Sequence, residues 1–441
     1  MLKRWHERSS QPEPTAIAKK ELLVRAVQEE DDVEEQYLPV HQHHHSLDLQ
    51  HLDAEQRGQL LESIPHQLFL ETPGKTDLVQ HHIYLKDSKP IHQHAYRVPE
   101  KLLLTMKQEI ETMLELGVIE QSSSEWNNPI VLVPKKDGTL RFCLDFRKLN
   151  AVSKFDPYPM PRVDDLIEKL GSAKFLTTLE LCKGYWQIPL SPDSKELTAF
   201  KTPFGHYHFN VLPFELHGAP ATFQRMIDHI LQGTEDFAAA YLDDIVVFSK
   251  NWHLQHLTEV LERIKSAGLT IRPDKCAIAK TETTYLGYKL GHGIIRPQLG
   301  KTEAIKHAER PTSKKQVRSF LGLVGWYRRY IPHFSARAVA LTNLTKKDKP
   351  NKIVWTAECE SAFNDLKDAL CKEPVLQSPN FDQSFTVQTD ASECGLGAVL
   401  LQGQSGELQP IAYISRKLLL RDKVLNSGER MFGSEMGFGL F

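Results

Sequence analysis

Tyr241-Leu242-Asp243-Asp244-Ile245-Val246-Val247 is the stretch on which the reading of this chain turns. Two adjacent carboxylates stand inside an apolar run. Phe237 to Phe248 reads as strand, turn, strand, with Asp243 and Asp244 at the turn. Like charges placed side by side repel unless cations neutralise them. Mg²⁺ is the natural cation, because it is held by a few carboxylates together with substrate phosphates. Such pairs serve two-metal phosphoryl transfer, with the ions ~3.5–4 Å apart. Taken alone, the pair reads equally well as a polar hairpin turn, so the surrounding sequence decides.

Outward from the pair, helical and extended patterns alternate irregularly. Upstream, Pro220 to Leu231 has helical spacing, with Phe223, Met226, Ile227 and Ile230 on one side and Gly233 after it. Lys174 to Leu181 reads as a strand carrying Glu180 near its end, and Pro161 opens a short helix that Gly171 ends. Pro129 to Pro134 and Leu140 to Phe146 are two strands joined by Lys135-Lys136-Asp137-Gly138, a hairpin signal. Leu102, Leu103, Met106, Ile110, Met113 and Leu114 recur at helical spacing before Gly117. Downstream, Leu254 to Ile264 is an amphipathic helix stopped by Gly268, and Ser313-x-x-Gln316 is a capping box opening another. After residue 375 the pattern turns to strands, Phe385 to Asp390 and Gly397 to Gln402, which places a domain boundary there. The class is α+β.

Composition sets the outer bounds. A chain of 441 residues is too long for one core, and domain sizes imply roughly three units. Its 54 basic and 56 acidic residues give a net charge of −2. Attraction to phosphates must therefore come from local basic clusters. The six cysteines lie far apart without a C-x-x-C pair, which reads as reduced thiols in an intracellular protein with no zinc site. No stretch approaches the ~18 apolar residues of a membrane span. The first residues lead into polar sequence, so no secretory signal is expected. Residues 1–48 hold an acidic run (Glu29 to Glu35) and a cluster of His41, His43, His44 and His45, which reads as a disordered, solvated linker.

The motifs fall in an order that resembles the Pol polyprotein of gypsy-type LTR retrotransposons, from about residue 50 to 423. Tyr241-Leu-Asp-Asp244 is similar to the polymerase signature of reverse transcriptases. Pro129 to Asn150, Phe155 to Arg162, Lys183 to Leu190, His217 to Arg225, Tyr285-Leu-Gly-Tyr288 and Phe320 to Pro332 agree with the same family. The resemblance implies a right-hand polymerase of fingers, palm and thumb over 49–298. Thumb and connection helices would follow over 299–375, then a truncated ribonuclease H-like α/β domain over 376–441. It implies RNA-directed DNA polymerase activity with Mg²⁺, or Mn²⁺ in its place, on an RNA or DNA template with primer and deoxynucleoside triphosphates, and no membrane partner.

Residue roles follow from the same resemblance. Glu180, Asp243 and Asp244 would hold the catalytic metals. Lys135 and Arg141 would grip the incoming triphosphate, a task suited to a basic pair. Tyr185 would gate the sugar, Phe214 would line the nucleotide pocket, and Leu286 and Gly287 would grip the primer end. Thr389-Asp390-Ala391-Ser392, with Gly395 and Gly397, resembles the first strand of the ribonuclease H domain, and Asp390 would be its first metal-binding carboxylate.

Three positions depart from the family. Glu180 stands where the family has Asp, which moves the carboxylate oxygens by about an ångström, and ~1 Å of misplacement can lower a rate ~10²-fold. Glu215, in Pro213-Phe-Glu-Leu216, stands where the family has Gly. It adds negative charge near a triphosphate and requires a φ that a residue with a β-carbon tolerates. Met431 falls where the second ribonuclease H acid belongs, so no ribonuclease H activity is expected. The reading is thus a polymerase impaired by Glu180 and Glu215. The alternative is a catalytically dead remnant, or a host-domesticated nucleic-acid-binding protein, with a vestigial ribonuclease H.

Overall fold

The computed structural model describes residues 47–418 apart from 88, 135–139, 253, 373–374, 392–394 and 404–406. The acidic run, the histidine cluster, Lys135 and Met431 lie outside the described residues.

Helix α1 (Ala54–Ser63) is capped by Asp53, whose side chain accepts from the Gln56 N–H. Helix α2 (Leu103–Glu115) buries Met106, Ile110 and Met113, and Gly117 follows with φ +65. Leu114 was expected on that face but is 38 % exposed. At i+8 from Met106 it stands at the rim of the apolar stripe. Three strands follow: β1 (Ile119–Gln121), β2 (Ile130–Pro134) and β3 (Leu140–Leu144). Strands β2 and β3 form an antiparallel hairpin with Val133 opposite Arg141. Helix α3 (Val163–Leu170) ends at Gly171, and β4 (Phe175–Glu180) begins soon after. Strands β5 (Phe200–Thr202) and β6 (Gly205–Phe209) join β1 in a sheet of order β1-β6-β5.

Helix α4 (Ala219–Ile230) precedes the hairpin of β7 (Ala238–Tyr241) and β8 (Asp244–Ser249). Helix α5 (Leu254–Ser266) and strand β9 (Ala277–Lys280) complete an antiparallel sheet of order β7-β8-β4-β9. Side chains alternate across a strand, and β8 feeds two cores. Ile245 and Val247 join the cluster of Phe223, Met226, Leu257 and Leu261. Val246 joins the one containing Ile167, Leu170, Tyr285 and Phe320. A sheet covered on both faces explains the unbroken apolar run after Asp244.

Strands β10 (Glu282–Tyr285), β11 (Tyr288–Gly291) and β12 (Ile294–Pro297) lead to helices α6 (Leu299–Lys306), α7 (Lys314–Trp326) and α8 (Ala357–Cys371). The Ser313–Gln316 capping box opens α7 as the sequence requires. The change of pattern at residue 376 is not a break in packing. Strand β13 (Leu376–Gln377) pairs with β12 to give the order β10-β11-β12-β13, and Leu376 is buried with Ile305 and Leu366. A further antiparallel sheet then forms from β14 (Thr386–Ala391), β15 (Gly395–Gln402) and β16 (Gln409–Lys417). It is tied back to the preceding helices. The Ser335 N–H donates to Ser415 Oγ at 2.8 Å, and Lys417 Nζ donates to Asn343 Oδ1 at 3.0 Å. Among the described residues, no helix is long and apolar enough to cross a membrane.

Candidate active site

Glu180 and the adjacent pair Asp243 and Asp244, distant from it in sequence, come together at one end of the central sheet. Glu180 ends β4, Asp244 opens β8, and the two are antiparallel partners. Asp243 occupies the turn just before, and its carbonyl accepts from the Leu181 N–H at 3.2 Å.

The turn carrying the acids is conformationally demanding. Leu242 has φ +56, a region that costs a residue with a β-carbon roughly 1–2 kcal/mol. Gln224, fully buried on α4, holds it there. Its Oε1 accepts from the Leu242 N–H at 2.8 Å, and its Nε2 donates to the Ala240 carbonyl at 3.2 Å and to Asp228 Oδ1 at 2.8 Å. Sequence reasoning assigned Gln224 no role. The available signal was a polar residue among the buried positions of a helix. Gly184 is equally specific: a Cβ there would lie 3.2 Å from the Asp243 Cβ and 3.0 Å from the Phe223 ring.

The electrostatics mark the three acids as a unit. Asp244 is pushed up to about 6, first by burial and then by the charges of Asp243 and Glu180. Glu180 is raised by burial and by Asp243, against the opposing pull of Lys275 and Arg272. Burial raises Asp243 as well. Full ionisation is therefore resisted until positive charge arrives. The donors are hard carboxylate oxygens, which suit Mg²⁺. Among the described residues, no three acidic, histidine or cysteine side chains are grouped closely enough to hold a metal ion by themselves. An ion at these acids would have to draw further ligands from substrate phosphates and water.

Around the acids, Tyr185 lies in the turn Gly184–Gln187, with ring centroids 5.3 Å from Phe214 and 5.4 Å from Phe223. Burial, then Asp243, push its hydroxyl up to about 12. Phe214 is 40 % exposed, so the Tyr185–Phe214 contact forms an open aromatic wall beside Asp243. Arg141 is exposed on β3. Two residues along, burial raises the Cys143 thiol; the negative charge of Glu215 adds to this, while Arg141 opposes it.

Glu215 does not have the tolerant φ that its β-carbon requires. Its φ is +74. Asn150 pins the loop on both sides: its Nδ2 donates to the Glu215 carbonyl at 2.9 Å, and its Oδ1 accepts from the His217 N–H at 3.0 Å. The loop holds a glycine conformation with a glutamate in it.

Leu286 and Gly287 form the two-residue turn between β10 and β11, with φ +48 and +86. Two positive φ values describe a type I′ hairpin. Asp390 stands apart from these groups. It lies exposed on β14, and His333 Nδ1 is 3.8 Å from its Oδ2.

Known proteins resemble this chain in sequence and in fold. Residues 133–290 match the family described as reverse transcriptase (RNA-dependent DNA polymerase). Residues 355–431 match an RNase H-like domain found in reverse transcriptase. The chain is 36% identical over 351 residues to the retrovirus-related Pol polyprotein from transposon 297 of Drosophila melanogaster, covering 78% of this chain and 33% of that protein. It is 38% identical over 346 residues to the corresponding polyprotein from transposon opus, covering 75% and 34%. With the transposon Tf2-3 polyprotein of Schizosaccharomyces pombe it shares 32% over 327 residues, covering 73% and 24%. The chain thus spans about a third or less of the length of these relatives. Among solved structures, the foamy viral protease-reverse transcriptase dRH in complex with double-stranded DNA aligns with a TM-score of 0.77 at 25% identity, covering 84% of this chain and 66% of that one. The foamy viral protease-reverse transcriptase in complex with an RNA/DNA hybrid aligns with a TM-score of 0.74 at 25% identity, covering 85% and 51%. The chain carries a reverse transcriptase domain followed by an RNase H-like domain, and is similar to part of the Pol polyproteins of retrotransposons.

Proposed function

We propose that this chain copies an RNA or DNA template into DNA from a primer, at a rate lowered by Glu180 and Glu215. The observation that carries the reading is the pairing of Glu180 with Asp244 beside Asp243, with all three acids raised by burial and two of them also by neighbouring acids. Glu180, Asp243 and Asp244 would hold Mg²⁺, which when bound neutralises phosphate charge and activates the primer hydroxyl. The protein contributes position and charge. Tyr185 and Phe214 wall the space beside Asp243 and would restrict the sugar of the incoming deoxynucleoside triphosphate. Arg141, with Lys135, would take the triphosphate. Glu215 places a negative charge on the same side as Arg141 and works against that binding. Primer extension on an RNA template with a DNA primer, in Mg²⁺ and separately in Mn²⁺, tests the reading. Slow synthesis that Asp243→Asn abolishes is expected; synthesis that survives Asp243→Asn would refute it.

The strain at Glu215 favours a second reading, a silent remnant that still binds nucleic acid. Salt-dependent template–primer binding, with no synthesis in either metal, would select it.

A further inference from the structure

The hairpin turn Leu286–Gly287 is held from two directions by phenol hydroxyls. From one side, Tyr285 Oη donates to the carbonyl of Asp244 at 3.1 Å. From the other, Tyr327 Oη donates to the carbonyl of Gly287 at 3.0 Å, and the Gln298 N–H donates to the same oxygen at 3.0 Å. Glycine suits position 287 because its φ of +86 disfavours any other residue.

Tyr327 follows α7 and is itself fixed. Its ring lies 5.6 Å from Tyr288 and 6.3 Å from Tyr330, each edge-on, and all three tyrosines are buried. Two residues along, Arg329 forks onto α3: one guanidinium nitrogen is 3.1 Å from Asp164 Oδ1 and the other 2.6 Å from Glu168 Oε1. Only 15% of the Arg329 side chain is exposed, so the fork is largely shielded from water and geometrically restrictive. A path of contacts runs from α3 through Arg329, along the chain to Tyr327, and on to the hairpin, and from the hairpin through Tyr285 to the backbone carbonyl of Asp244.

We propose that Tyr327 is a positioning residue for nucleotide addition: its hydroxyl, anchored through Arg329, fixes the Leu286–Gly287 turn relative to Asp244 and so sets where the primer terminus meets the acids. This rests on the polymerase reading and on the hairpin meeting the primer. A hydroxyl is needed because the acceptor is a backbone carbonyl. Removing it leaves the Gln298 N–H as the carbonyl's one remaining donor among these two and loosens the turn without emptying the core.

The test is Tyr327→Phe, which deletes one oxygen and keeps the ring. Three quantities are read: thermal melting, affinity for a primer–template duplex, and the fluorescence of a 2-aminopurine placed at the primer 3′ end. Steady-state nucleotide addition is then measured. The expected result is unchanged melting and duplex affinity, a changed 2-aminopurine signal in the complex, and a fall in kcat of roughly 10- to 100-fold at constant nucleotide KM, the scale of an ångström of misplacement. Wild-type 2-aminopurine fluorescence with wild-type kcat would overturn the proposal. So would a loss confined to melting temperature, which is what a structural role alone produces. The fluorescence readout needs no catalysis, so a chain that binds duplex but adds nucleotides slowly still decides the matter. Absence of duplex binding in the unaltered protein would overturn the polymerase reading and this proposal together.

Discussion

Replacing Asp244 by Asn makes the protein more stable in the absence of divalent cations, with a pH dependence that the structure dictates. Asp244 is raised from an ordinary 3.8 to about 6 by burial and by Asp243 and Glu180. A raised carboxylate pKa means that the folded state binds the proton more tightly than the unfolded one. Its contribution is therefore unfavourable to folding once ionised: stability is lost as pH rises from about 4 to about 6 and stays lower above that. A shift of about two units corresponds to ~3 kcal/mol, and solvent reaching this partly exposed group reduces the figure to about 1–2 kcal/mol. Asparagine carries no charge, so the variant gains that amount near neutral pH and almost nothing near pH 4. Mg²⁺ reverses the ranking, because ligand bound to the folded state stabilises by ~2.7 kcal/mol at a hundredfold excess over its Kd, and the variant has lost a ligand. Urea unfolding at about pH 4 and about pH 7, with and without Mg²⁺, measures each part. A variant no more stable than its parent near pH 7 without metal, or equally stabilised at both pH values, would refute the argument.

Two further perturbations follow from backbone geometry. Glu215→Gly releases a left-handed residue that costs roughly 1–2 kcal/mol, partly offset by the unfolded-state freedom of glycine. A net gain of about 0.5–1 kcal/mol in chemical denaturation is expected, together with a lower nucleotide KM. Gln224→Leu strips the Leu242 N–H of its partner. Burying such a group unpaired costs about 1–3 kcal/mol, so urea unfolding should record that loss and primer extension should fall at least about tenfold.

Much of this site could be read from the chain because its signals are local. The Asp243–Asp244 hairpin contrasts acid against a β-branched run, and the Ser313–Gln316 box needs only two residues at fixed spacing. What was missed depends on tertiary contacts. The sign of φ at Glu215 is imposed by Asn150, far upstream. Gln224 looks like an ordinary helical residue until the turn it holds is folded against it. Strand β13 is two residues long and pairs with the edge that β12 offers, so the change to a strand pattern at residue 376 does not coincide with a break in packing. The direction of the Tyr285 and Tyr327 hydroxyls is likewise set by neighbours that no periodicity encodes.

The most direct test of the central claim is single-nucleotide addition to a DNA primer on an RNA template by the chain as it stands and by Glu180→Asp. Glu180 faces Asp244 across the strand pair, so shortening it draws the carboxylate back by about an ångström. The account predicts Mg²⁺-dependent addition by both proteins, with the Asp form faster by up to ~10²-fold. Addition by neither protein, with both folded and bound to template–primer, would contradict it.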